Sequence, residues 1–292
     1  MILESFEALG TVWYLELFEE RSDYLRIRSN AIAWLEVFES RYSRFLTNSW
    51  LSVLNQTGTY ADPNPQFTDI LTRALDYYAA TNETFNIAVG ERLLKSGYDE
   101  SYSFTAEAEL PSVPALPDTL SVASDLITLQ NGRLDLGGIG KGYAIDQLAH
   151  FLQEAHGLSF FLINGGGDIF VTSDHEKPVT ITLAHPVDRS LAIGTVDLQQ
   201  AGFAASSPRL RTWRDPQAGK VHNHLLTEQH FASYVIASTA TDADVWATVS
   251  CLNLEITPPD DVFQLIINDF GQVVKDSFLQ HKDQVNYSLY RK

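Results

Sequence analysis

Residues 160–171 read FFLINGGGDIFV, two runs rich in β-branched and aromatic residues on either side of Gly165, Gly166 and Gly167. Glycine tolerates the positive φ that a tight turn between antiparallel strands demands, so the segment predicts strand, turn, strand rather than a strand feeding a crossover helix. Upstream, TVWYLELF at 11–18 predicts a first strand. Between 31 and 45 the apolar positions Ile32, Leu35, Phe38, Tyr42 and Phe45 recur at helical spacing, and between 67 and 80 Ile70, Leu71, Ala74, Leu75 and Tyr78 do the same. Residues 105–117 are acidic, hold three prolines and read as a connector. A strand at 126–129, an Asn131-Gly132 turn and a short strand ending at Leu136 follow. A glycine turn then opens a helix whose apolar face is Ala144, Ile145, Leu148, Phe151 and Leu152. Downstream, strands are expected at 179–183, 192–198 and 234–237, a helix at 243–252, and a closing strand pair, FQLIIN and QVVKDS, around the turn at 269–271. Hairpins interspersed with helices predict an α+β fold with mixed, largely antiparallel sheets and packed helices, not a doubly wound parallel sheet.

The chain has 292 residues, 45% of them hydrophobic, enough to bury a substantial core as one large domain or two packed lobes. It holds no run of about 18 uninterrupted apolar residues, so no membrane span is expected. Its first residues, MILESFEALGT, lack a basic region followed by an apolar stretch, and the chain as given reads as cytoplasmic. A formal charge of −17 without any long Lys/Arg block argues against nucleic acid as a partner. An anionic small ligand would need local compensation from a lysine, oriented amides or a divalent metal. The single cysteine, Cys251, lies in an apolar helical pattern and reads as a core residue; it excludes an internal disulfide and a cysteine-based zinc cluster.

Chemistry concentrates in two segments. LDLGGIGKG, 134–142, places four glycines and Lys141 between a strand-like run and a helix. Backbone amides of such a turn, the helix start behind it and the lysine charge together suit phosphate oxygens. The spacing matches neither the Walker pattern nor the dinucleotide fingerprint, and a plain strand-to-helix connection with an exposed lysine stays open as the other reading. STATDADVWATVS, 238–250, carries Asp244 and Thr248 four residues apart, one face of a helix presenting a carboxylate and a hydroxyl to a hard cation such as Mg²⁺. Thr241 and Asp244 also match a capping box, which would make Asp244 a helix-start device without a ligand.

Taken in order, LDLGGIGKGYAID, LINGGGDI and TDADVWAT resemble the ApbE family, the FAD:protein FMN transferases. FEALGT at 6–11 is similar to that family's opening strand, FESRYSRF to its first helix and following serine, and TNETFN at 81–86 to its Thr-x-Gly-x-Phe-Asp turn. The resemblance implies one domain over 1–292 made of two intertwined lobes. It implies Mg²⁺ held by the backbone carbonyl of Gly138 and by Asp244 and Thr248. It also implies FAD contacts from Leu9, Thr84, Phe85, Asn86, Asp135, Lys141 and Leu225, with Gly165, Gly166 and Asp168 shaping the adjoining wall. The implied reaction moves FMN from FAD to a Ser or Thr hydroxyl of an acceptor flavoprotein with release of AMP. An FAD pyrophosphatase and a catalytically impaired flavin-binding protein are the alternatives. Three departures stand out: HLLTE at 224–228 replaces His-x-x-Asp-Pro, ASSP at 205–208 replaces Thr-Ser-Gly, and Asn86 stands for Asp.

Overall fold

The structure, a computed structural model, describes residues 2–99, 102–173, 177–188, 190–215, 219–281 and 284–290. The first half of the chain runs β1 (Ile2–Ala8), β2 (Thr11–Leu17), α1 (Tyr24–Tyr42), α2 (Trp50–Thr57), β3 (Thr59–Ala61), α3 (Pro65–Ala80), α4 (Gly90–Lys95), α5 (Leu116–Thr119), β4 (Leu120–Val122), β5 (Leu126–Leu129) and α6 (Gly140–His156). The second half runs β6 (Phe161–Gly165), β7 (Asp168–Thr172), β8 (Val179–Ala184), β9 (Ala192–Leu198), β10 (Gln200–Ser206), β11 (Thr212–Arg214) and β12 (Val221–Asn223). It continues with β13 (Phe231–Ala237), α7 (Ala240–Leu252), β14 (Phe263–Asn268), β15 (Val273–Asp276) and β16 (Asn286–Leu289). Among the described residues every strand pair is antiparallel, which establishes the α+β class. No helix among the described residues is long and apolar enough to cross a membrane.

The chain divides into two compact units, one made of 1–36, 141–209 and 229–292, the other of 37–140 and 210–228. The first unit is built on an eight-stranded sheet ordered β1-β2-β6-β7-β10-β13-β14-β15, beside a three-stranded sheet β16-β9-β8. Leu162, Val171, Phe203 and Leu265 of the large sheet share a core with Leu183 and Val196 of the small one and with Phe278. The helix α7 packs against β7, β10 and β13, and its residues 243–251 are all buried, so its sequence carries no polar stripe. In the second unit a small sheet β3-β5-β4 accompanies α2, α3 and α5.

FFLINGGGDIFV folds as expected, β6 paired to β7 with Gly165 opposite Asp168. The turn is Gly166-Gly167, φ +74° and +109°, values that disfavour any residue with a Cβ. FEALGT proves to be three parts: the end of β1, the two-residue turn Leu9-Gly10, and the first residue of β2. The first helix starts at Tyr24, seven residues before the expected 31, because Tyr24 and Ile27 are buried although Arg26, Arg28, Ser29 and Asn30 between and after them obscure the apolar stripe. The expected strand ending at Leu136 is absent: Arg133 makes a lone bridge to Val89, and the backbone of Leu134 is satisfied by a side chain instead. Asn55 of α2 donates to Leu134 O at 3.0 Å and accepts from Leu134 N at 2.7 Å, imitating one rung of a sheet. Leu134 is fully buried, so Asn55→Ala strands both groups away from water and should cost about 2 kcal/mol, read as a lowered urea midpoint.

Candidate functional site

The first unit gathers its chemistry where the start of α6, the start of β7 and the middle of α7 meet. Lys141 ion-pairs through Nζ with Asp168, and lies 3.5 Å from Asp244 Oδ2. The amide of Gly142 donates to the same Asp244 oxygen at 3.1 Å. Both carboxylates are buried, with 6% and 7% of their side-chain surface exposed, while the lysine keeps 27%. Two carboxylates against one ammonium leave the cluster with a formal negative charge, and burial makes that imbalance matter more than it would at the surface. Thr248, one turn beyond Asp244, is buried as well.

The cap of α7 settles the alternative reading of Asp244. Thr239 is the N-cap, its hydroxyl accepting from Asp242 N at 3.0 Å and donating to the Asp242 carboxylate at 2.6 Å. The capping box is therefore Thr239 and Asp242, two residues earlier than the Thr241–Asp244 pair that the spacing suggested, and the helix begins at Ala240 rather than 243. Asp244 lies inside the helix with its carboxylate turned to Lys141 and Gly142.

Other candidates fall on the turns. Leu9, in the first unit, occupies the β1–β2 turn at φ +51°, a conformation costly for a residue with a branched side chain. The rest belong to the second unit. Phe85 is buried, with its amide on Thr81 Oγ1, and Thr84 N bonds to Thr81 O. Asn86 uses both ends of its amide locally, donating to Pro114 O at 2.9 Å and accepting from Ala88 N at 2.8 Å. Asp135 forms a partly buried ion pair with Arg44 and accepts from Gly137 N at 2.7 Å, so its carboxylate shapes the glycine turn that contains Gly138. Arg44 also donates to Tyr98 O and lies over the Phe45 ring at 4.2 Å. In the HLLTE segment, Asn223 organises the backbone: its Oδ1 accepts from Leu225 N at 3.1 Å and its amide donates to Thr227 O at 2.6 Å. An asparagine one residue before the histidine thus supplies turn chemistry where the family pattern has Asp and Pro further on.

Three contributors escaped the sequence reading: Arg44, Asn223 and Asp146. The last was in principle legible, because Gly142 and Asp146 are four apart on α6 and so share a face. Cys251 is a core residue as expected; burial pushes its thiol up to about 12.

No group of three His, Cys, Asp or Glu side chains placed to share an ion occurs among the described residues. A hard cation that takes one carboxylate and one hydroxyl and completes its shell with water and ligand phosphate, as Mg²⁺ does, fits the pair Asp244 and Thr248 better than an ion needing a full protein cage. An open pocket of about 560 Å³ lined by Asp197, Ser238, Asp261 and Gln284 shares no residue with this cluster.

Comparison with known proteins gives the cluster its context. The ApbE family model matches residues 9–257. An FAD:protein FMN transferase of Klebsiella pneumoniae (strain 342) is 25% identical in an alignment spanning 89% of this chain and 79% of its own length. The ApbE protein of Thermotoga maritima MSB8 superposes with a TM-score of 0.82 at 17% identity, over 96% of this chain and 98% of that one. Flavin transferase ApbE from Vibrio cholerae does so with 0.75 at 18% identity, over the same shares. At these identities the structural matches establish a shared fold.

Proposed function

The chain belongs to the ApbE family, and from that premise we propose that it is a Mg²⁺-dependent FAD:protein FMN transferase. The observation that carries the reading is the convergence of Lys141, the Gly142 amide, Asp168 and Asp244 at the head of α6, with Asp244 relieved of any capping duty. In this reading Asp244 and Thr248 hold Mg²⁺ together with the Gly138 carbonyl, and Leu9, Thr84, Phe85, Asn86, Asp135, Lys141 and Leu225 contact FAD. The ion supplies Lewis-acid neutralisation of pyrophosphate charge. A Ser or Thr hydroxyl of the acceptor flavoprotein attacks the phosphorus on the riboflavin side, the new O–P bond replaces the P–O bond to the AMP phosphate, and AMP leaves as the anion. Asp244 accepts the hydroxyl proton. Lys141 brings a full positive charge to the pyrophosphate, and the Gly142 amide keeps the Asp244 carboxylate oriented meanwhile.

Incubation with FAD, Mg²⁺ and a flavoprotein acceptor tests this directly. Mass spectrometry of the acceptor should show addition of one FMN with stoichiometric AMP. FMN and AMP released equally well without acceptor would instead identify a pyrophosphatase. FAD that remains whole with Mg²⁺ and several acceptors would identify a flavin-binding protein.

A further inference from the structure

Asp146 is the one acidic side chain of α6 turned onto the first turn of α7. Its Oδ1 accepts from Ala240 N at 2.8 Å, and its Oδ2 accepts from Thr241 N at 2.8 Å and from the Thr241 hydroxyl at 2.5 Å. The first two helical amides of α7 have no partner inside the helix, and a carboxylate from a neighbouring element satisfies both while facing the positive end of the helix dipole. The helix already has its own capping box in Thr239 and Asp242, so termination alone does not require a second carboxylate.

The same face of α6 makes a second contact one turn earlier. A Cβ on Gly142 would lie 2.4 Å from Ala240 O and 2.8 Å from Thr241 Cα, so the two backbones touch there. Gly142 by absence of a side chain, and Asp146 by three hydrogen bonds, therefore fix residues 240 and 241 against α6. Asp244 is one turn further along α7, and its carboxylate meets the Gly142 amide and Lys141 from the same helix. A rotation or slide of α7 would separate Asp244 from that amide, and the Asp146 contacts oppose it at the start of the helix, beside the packing of α7 on β7, β10 and β13. Thr241 is buried, so its hydroxyl has no solvent alternative to Asp146.

We propose that Asp146 is a positioning residue: it clamps the start of α7 to α6 so that Asp244 and Thr248 present their oxygens in the arrangement that binds the divalent cation. This rests on the cation site proposed above.

The test is a titration of the full chain with Mn²⁺ alone, followed by electron paramagnetic resonance, together with hydrogen exchange at the amides of residues 240–244. Asp146→Ala should weaken Mn²⁺ about 10- to 100-fold, the range for loss of a group that orients a metal ligand. Exchange should rise at 240–244 while β13 stays protected. Thr241→Val, which removes the hydroxyl but keeps both amide bonds, should weaken Mn²⁺ by a smaller factor, and Thr241→Ser should restore wild-type affinity. A folded Asp146→Ala that binds Mn²⁺ as the wild type does would overturn the proposal. If that variant does not fold, Thr241→Val with wild-type affinity overturns it equally. A wild type that takes up no Mn²⁺ at all removes the cation site itself, and with it the role given to Asp146; that failure is recognised because it precedes any substitution.

Discussion

An Asp244→Ala variant is expected to lose FMN transfer by about a thousandfold or more, roughly 4 kcal/mol of transition-state stabilisation, while remaining folded. The size follows from the two roles proposed for the carboxylate, holding the cation and taking the acceptor's proton. Its retention of fold follows from the caps. The start of α7 is held by Thr239, Asp242 and Asp146, and α7 is buried along nearly its whole length, so removal of Asp244 costs the helix none of its terminal hydrogen bonds. What the variant does lose is the acceptor for the Gly142 amide, a stability cost of about 1–3 kcal/mol. Covalent FMN on the acceptor, measured by mass spectrometry, and far-ultraviolet circular dichroism of the variant are the paired readouts. A variant that transfers at more than a tenth of the wild-type rate would remove Asp244 from the chemistry, whereas loss of helical signal would return it to a structural role.

A large effect on stability is expected at Gly142. Alanine in a helix is intrinsically favoured over glycine by about 1 kcal/mol, so a helical glycine with free space around it should gain from the change. At position 142 the added methyl would meet the carbonyl oxygen of Ala240 at 2.4 Å and its carbon at 2.8 Å, backbone atoms held in turn by Asp146 and unable to step aside individually. The clash outweighs the propensity, and Gly142→Ala should destabilise the protein by about 2–4 kcal/mol in urea unfolding. Gly140 supplies the control two residues away: its Cβ would lie 3.5 Å from Leu136 Cβ, an ordinary contact, and Gly140→Ala should change stability little. Equal behaviour of the two variants would show that α6 and α7 can separate without cost.

Much of this architecture could be read from periodicity. The hairpin at 160–171, the helix after LDLGGIGKG and the closing strand pair each combine a clear apolar pattern with glycine-marked or polar turns, and all are present. What could not be read has physical reasons. β10, QAGFAAS, has Phe203 as its single bulky apolar residue among small ones, and Gly202 in it is pressed against the backbone of Thr239, so the strand shows no apolar alternation. The α7 boundary was misplaced because two overlapping Thr-x-x-Asp patterns, 239–242 and 241–244, are equivalent on paper; only the partner of Thr241, a carboxylate 95 positions earlier in the chain, distinguishes them. Asp135 and Asn86 are of residue types that favour turns, but which backbone each one satisfies depends on tertiary placement, and Asn223 passed unnoticed for the same reason.

The eight-stranded sheet draws β1 and β2 from the first seventeen residues, whereas β6, the next strand along from β2, starts at Phe161 and β13 at Phe231. During synthesis the β1–β2 hairpin therefore leaves the ribosome long before β6 exists to cover it, and the helices of residues 37–140 emerge in the interval. Such separation in sequence slows assembly and leaves an unpaired β2 edge accessible to other chains. A nascent chain of this design carries that edge unpaired until β6 has been translated, and a chain ended before residue 161 is expected to aggregate, which light scattering of the truncated protein checks.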